Sequence, residues 1–426
     1  MTIIKRENLT NTIKPIALSI ALLSAGASAP TLAADTLAEA FSGGKAFANL
    51  RLRYEHADQN NLNAAGESIE DADALTLRTS FGYQTGEYKG FSVLVEAEAV
   101  REVRGVRDFS TPGGAPGVIG VRPGQFDIVA DPETTELDQA FVQYKAGGFT
   151  GKLGRQVIAL DGHRFVGTVG WRQDRQTYDG IKLNYKDDNL ELTGAYVTQR
   201  NRIFAEEADF DSSDIFLNAS YKFGDAGKLV VYSYLLDQEG VNGGNDVEID
   251  TYGLSYTGSV KVGGGAFNYT AEYATQDNGD IDTDYFNLGA GIKFNEAIKF
   301  SLAFESLGSD NGAGSFATPL ATLHKFNGWA DVFLNTPAIG LEDFSATLDA
   351  KFWGGNFKVA YHDFAGDDSA VDGDDLGDEI DIQYTRNFGK HLYSGIKYAD
   401  YSQGSSTSVS PIDTQRFWVW VGVKFK

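Results

Sequence analysis

From about residue 45 to the end of the chain, apolar and polar residues alternate with a period of two. The last segment shows it most plainly: Phe417, Val419, Val421, Val423 and Phe425 share one face, and Trp418, Trp420, Gly422, Lys424 and Lys426 share the other. Leu75, Leu77, Thr79, Phe81 and Tyr83 alternate in the same way with Thr76, Arg78, Ser80, Gly82 and Gln84. Residues 214–223 and 266–276 repeat the pattern. Successive side chains of a strand point to opposite faces, so each segment predicts a strand with one apolar and one polar face. The segments run to about 10–13 residues, whereas strands of soluble proteins average about 5–6 and a tilted membrane-crossing strand needs about 9–11. Many apolar faces begin or end in Tyr or Phe, as an interfacial aromatic girdle requires.

The spacing predicts strands at 45–57, 74–86, 90–104, 136–146, 149–159, 177–187, 189–201, 213–224, 228–239, 248–259, 264–276, 284–295, 297–307, 342–353, 356–364, 379–388, 391–403 and 414–426. Short turns such as Gly147–Gly148, Asp187–Asp188 and Gly354–Gly355 alternate with longer polar loops, the pattern of short periplasmic turns and long external loops. A further strand could be drawn at 325–334, but it would make the total odd and put the acidic segment 365–378 on the periplasmic side. Residues 308–340 are therefore read as one long external loop. The expected fold is all-β: a transmembrane antiparallel β-barrel of about eighteen strands, with long external loops partly folded into the lumen. Lipid leaves no backbone group unpaired, so the sheet must close. A barrel of this strand number is too wide to fill with its own side chains.

The N-terminus changes the address. Lys5, Arg6 and Lys14 precede the short apolar stretch 15–29, which is followed by small residues, so residues 1–33 are expected to be a signal peptide and 34–426 the barrel. The chain has no Cys, which suits an oxidising periplasm and excludes thiolate metal sites. The whole chain carries a formal charge of −23, and the leader is basic, so the mature chain is more acidic still; nucleic acid is excluded as a partner. The expected surroundings are outer-membrane lipid and lipopolysaccharide of a Gram-negative bacterium, with barrel-assembly machinery during biogenesis and the chain acting as a monomer.

Arginine is concentrated in the first half, and after Arg202 only Arg386 and Arg416 remain. Parity places Arg51, Arg53, Arg78 and Arg104 on the lumen face, while Arg164, Arg172 and Arg175 lie in a loop long enough to fold inward. Two readings stand. The arginines form a basic wall that attracts a small anionic solute or an acidic oligosaccharide, or they pair with lumen carboxylates such as Glu55, Glu96 and Glu98 and knit the wall together. Loops 105–135, 160–176 and 308–340 are candidate constrictions. The last holds Phe326, Trp329, Asp331 and Phe333, and its apolar members are expected to pack in the lumen. The acidic run 367–381 offers oxygen ligands that could hold a structural Ca²⁺, although its spacing is not that of an EF-hand. No other metal or cofactor site is expected. The five histidines (56, 163, 324, 362 and 391) form no recognisable nucleophile–base motif, so no catalytic residue and no enzyme activity is expected.

The stretch Leu137–Tyr144, the group Gly154-Arg-Gln156, the run from Arg164 through Gly170-Trp-Arg-Gln173 to Asp179, and the segment His324–Asp331 with Pro337 and Leu341 resemble the alginate-export family of outer-membrane barrels, including its porin-like members. The resemblance implies a monomeric barrel of this size. It makes Arg155, Arg164, Arg172 and Arg175 the foremost candidates for a basic constriction, with Lys152 and Asp161 as neighbours. The functional expectation is a porin-like channel for small hydrophilic, anionic solutes. The alternative is export of an anionic polysaccharide as the outer-membrane part of a secretion system.

Overall fold

The computed structural model describes residues 34–62, 66, 68–114, 119–240, 246–368, 374–406 and 410–425; the expected signal peptide lies outside the described residues. A short helix, α1 (Leu37–Ser42), precedes eighteen strands. These are β1 (Lys45–Gln59), β2 (Ala72–Gln84), β3 (Phe91–Asp108), β4 (Thr134–Ala146), β5 (Phe149–Gln156), β6 (Thr177–Lys186), β7 (Leu190–Asn201), β8 (Phe210–Lys222), β9 (Lys228–Gln238), β10 (Val247–Val262), β11 (Gly265–Asp277), β12 (Asp282–Lys293), β13 (Ile298–Leu307), β14 (Leu341–Phe352), β15 (Gly355–Ala365), β16 (Asp375–Phe388), β17 (Leu392–Gln403) and β18 (Thr414–Phe425).

Each strand pairs antiparallel with its sequence neighbours, and β1 pairs with β18 from Ala48↔Phe425 to Gln59↔Thr414. The ladder therefore has no free edge, as a bilayer demands. A strand of about 12 residues extends about 40 Å, and a tilt near 45° brings its rise close to the thickness of a bilayer core.

The period-two pattern decides which face meets lipid. Phe81, Val95, Leu153, Leu217, Leu254 and Val421 are exposed on the outside, while the intervening positions face the lumen and most of their upper halves are buried. At the short-turn end, Tyr144, Phe149, Tyr185, Tyr221, Phe294 and Phe388 form an exposed aromatic belt. Residues 325–334 form no strand, and 308–340 is a single connection between β13 and β14. Several boundaries differ from expectation by up to four residues, and two of the differences have a direct physical reason. β5 stops at Gln156 because the chain turns inward there, burying Ile158. β16 begins inside the acidic run, where the Asp375 carboxylate accepts backbone N–H groups of Gly377 and Ser405.

Candidate functional site

The lumen is not an empty tube. Loops 157–176 and 308–340 fold into it and clasp each other: Gly167 N–H donates to Leu320 O (2.7 Å), Thr322 N–H to His163 O (3.0 Å), and Thr168 N–H to Thr322 Oγ1 (3.1 Å). Together they form an insert with its own apolar core. Phe165, Phe316, Leu320 and Phe333 pack against lumen-facing Tyr232, Tyr285, Phe364 and Tyr401 of the wall. The apolar residues of loop 308–340 are placed accordingly. Phe326 lies under the Arg164 guanidinium (4.7 Å), Phe333 packs on Phe364 (4.6 Å), and Trp329 contacts Lys397 Nζ (4.0 Å).

The insert is tied to the wall by buried charge. Glu55, on β1, is the hub: its carboxylate meets Arg53 (3.3 Å), Arg172 (3.0 Å) and Arg416 (3.2 Å). Arg172 also reaches Asp331 (2.7 Å), and Arg53 pairs with Asp131 of loop 109–133. Arg175 pairs with Asp138 (2.5 Å) and Glu96 (2.9 Å), Arg164 with Glu305 (2.9 Å), and Arg78 with Glu98. Burial opposes the charge on Arg172 and on Arg175, but the facing carboxylates outweigh it and raise both. Burial likewise opposes ionisation of Asp131, and Arg53 and Arg172 outweigh it and lower that carboxyl.

A second junction surrounds His324. Its ring stacks on Trp171 (4.4 Å, 5°), its Nδ1 lies 2.8 Å from Asp331 Oδ1, and its Nε2 lies 2.9 Å from Lys397 Nζ. Burial holds the imidazole down to about 3, so it is neutral. It therefore donates from Nδ1 to Asp331 and accepts from Lys397 at Nε2. Glu379, on the β16 wall, accepts the N–H groups of Trp329 and Ala330 and fixes the tip of loop 308–340.

These contacts revise the expected basic constriction. Arg53, Arg164, Arg172 and Arg175 are drawn together as neutralised partners of carboxylates where the inward loops meet the wall, and Arg78 pairs with Glu98 within the wall. The pairing with Glu55, Glu96 and Glu98 is the one the geometry realises. Arg155 does not face the lumen. It alternates with the exposed Phe149 and Leu153 of β5, whose pairings with β4 and β6 run without a register shift, and it pairs with Asp179 (2.8 Å) on the outer wall. The Arg104 side chain lies outside the described residues.

Two groups keep their charge available. Arg51 donates only to neutral acceptors: Gln173 Oε1 (2.9 Å), Gly170 O and Arg172 O. Lys152 of β5 sits directly opposite Lys182 of β6, both half-buried on the lumen face, with Lys152 Nζ over the Phe141 ring (4.3 Å). Among the described residues neither lysine has a carboxylate within ion-pair distance. Lys182 and Lys397 were not among the candidates from sequence, although parity alone puts both on the lumen face. Asp161 accepts from Asn218 and Tyr234 of the wall. Within the acidic run, Asp372 lies outside the described residues, and Glu379 and Asp381 are buried in the lumen.

The profile of the alginate export family matches residues 46–311, well over half of the sequence. The chain belongs to the alginate export family. No curated protein matches it. Among solved structures it is similar to Pseudomonas aeruginosa OpdQ (TM-score 0.69, 16% identity, 91% of this chain and 99% of that one). It is also similar to Acinetobacter baumannii OccAB4 (TM-score 0.67, 14% identity, 90% and 98%). A third match is P. aeruginosa OpdK, solved with vanillate (TM-score 0.68, 14% identity, 90% and 99%). At these identities the likeness is one of fold. This member of the family is an eighteen-stranded outer-membrane β-barrel.

Proposed function

We propose that the barrel is a passive channel for small hydrophilic anionic solutes. The observation that carries this reading is the Lys152–Lys182 pair. Like charges directly across a ladder destabilise a sheet, and among the described residues neither lysine has a carboxylate within ion-pair distance. An anionic group on a passing solute would relieve that repulsion, and the field of the two lysines would raise its local concentration. The residues supply a path and a field, and no source of energy.

Bilayer recordings under a KCl gradient test this. The reversal potential of the wild type is expected on the anion-selective side, and Lys152→Gln with Lys182→Gln is expected to move it toward non-selectivity. Cation selectivity in the wild type, or an unchanged potential in the double variant, would overturn the reading.

The family match favours a second reading, export of an anionic polysaccharide in a secretion complex. Loss of acidic polysaccharide from the culture medium on deleting the gene, with small-anion uptake unchanged, would select it. Because one chain closes its own ladder, a monomer suffices for either role. Phe425 supplies an aromatic close to the end of the last strand for the assembly machinery to read, and residues 1–33 would direct export.

A further inference from the structure

We propose that the outer wall carries a binding site for a phosphorylated lipid of the external leaflet, built from β3 to β7 around Arg101 and Arg155. Charged groups on the lipid face are costly at the bilayer midplane and nearly free near the interfaces, so guanidiniums there belong at headgroup level. Both lie near the long-loop ends of their strands, which is the external side.

Arg155 shares the outer face of β5 with Phe149 and Leu153. Its Nε and Nη2 donate to Asp179 (2.8 and 3.0 Å), and its Nη1 donates to Leu137 O (3.2 Å). On β3, Arg101 is exposed, and donates to Val100 O (2.7 Å), Thr134 O (2.6 Å) and Thr135 Oγ1. Among the described residues it has no carboxylate within ion-pair distance. Thr135 and Leu137 are successive outward positions of β4, so the two guanidiniums bracket one strand. A guanidinium has five N–H donors, and each of these uses three. Two remain on each, in the fork geometry that suits a phosphate.

Below them lies a hollow of about 710 Å³ with Leu137, Leu153, Ile181 and Tyr196 along its sides and Ala140 and Gly154 in its floor. All four side residues are exposed hydrophobics. The small-residue floor and apolar sides fit an acyl chain, and the unpaired Arg101 guanidinium with the remaining donors of Arg155 fits a phosphate at its head. A neutral lipid would use the hollow and leave the guanidinium donors idle. The other polar groups of the rim are Asp179, Thr198 and Glu206, and the Asp179 carboxylate is already engaged by Arg155.

The test is lipid retention by native mass spectrometry of detergent-purified barrel, with diphosphorylated lipid A and its dephosphorylated form as competing probes. The wild type is expected to prefer the phosphorylated form by about tenfold or more, the scale of charge-assisted hydrogen bonds. Arg101→Gln, which breaks no ion pair, and the Arg101→Gln/Arg155→Gln double variant should reduce that preference progressively. Ala140→Phe should weaken retention of both forms by filling the hollow. Arg386→Gln, exposed at the opposite, short-turn end of the outer wall beside Phe388, should change nothing. Conductance and reversal potential should stay at wild-type values in all four, because the site lies outside the lumen. Wild-type preference in Arg101→Gln and the double variant, or equal loss in Arg386→Gln, would overturn the proposal. Folding of each variant is read from heat-modifiable electrophoretic migration, and Arg101→Gln with Ala140→Phe keeps the test decisive if the double variant does not fold.

Discussion

Glu55 shows how a lumen residue acts through its neighbours. One buried carboxylate holds three guanidiniums that arrive from different parts of the chain: β1 itself, loop 157–176 and β18. A buried pair adds little net stability over apolar residues of similar volume, but removing one partner leaves the other charged and unsolvated, at a cost of about 3–5 kcal/mol. Glu55→Gln keeps the volume and removes the charge. It is expected to lower the unfolding free energy read from urea titration of the detergent-solubilised barrel by an amount in that range, with a lower midpoint, and to move the reversal potential further to the anion side. A midpoint equal to wild type would show that Arg53, Arg172 and Arg416 do not depend on this carboxylate.

At the scale of elements, the strands and the two inward loops have different physical origins. The ladder is local and periodic. Each strand needs only alternation and a neighbour, which is why strand number, turn positions and the loop character of 308–340 were legible from the pattern of residues. The insert is non-local. Its conformation depends on Gly167 meeting Leu320 and on Trp171 stacking on His324, contacts between segments more than a hundred residues apart, and no periodicity encodes them. Parity correctly singled out Glu55, Glu96 and Glu98 as lumen carboxylates, yet it could not say which arginine each would meet. Arg155 is a candidate through the family resemblance, whereas alternation with Phe149 and Leu153 puts it on the outer face. The same separation yields a prediction. Replacing residues 312–336 with a short Gly-Ser linker should leave the ladder closed and heat-modifiable, because no strand pairing involves them. Conductance should rise. Glu305, Asp343, Glu379 and Asp381 would face the water-filled lumen, so selectivity should shift toward cations. Unchanged conductance would mean that the loop does not narrow the path.

Across the whole molecule, loop residues buried in different ways pull stability in opposite directions with pH. His324 is held at about 3 by burial, with Asp331 pulling it up and Lys397 and Arg172 pushing it down, against an ordinary value near 6.5. Below about pH 6.5 the unfolded chain binds a proton that the folded barrel refuses until about pH 3. The histidine's contribution is therefore lost on acidification, with a limiting slope of about 1.4 kcal/mol per pH unit. Asp331 and Asp131, both lowered, add loss in the same direction once the pH falls below the ordinary carboxylate range. Asp209, in the loop before β8, runs the other way. Burial raises it to about 7, reinforced by Glu136 and Glu206 and opposed by the Arg202 N–H and Arg155. Its contribution is present in acid and lost as the pH rises toward 7. Asp174, raised well above its ordinary range by burial beside Glu136, behaves like Asp209. The whole-barrel profile sums these terms, so single variants separate them. The melting-temperature deficit of His324→Gln relative to wild type should be largest at pH 7 and shrink steadily toward pH 4. Asp209→Asn should gain melting temperature at pH 7 and lose that gain toward pH 4. Scans at one fixed rate in detergent check both, since barrel unfolding is read as a rate-dependent temperature. Parallel, pH-independent offsets in the two variants would mean that neither group changes its protonation on folding.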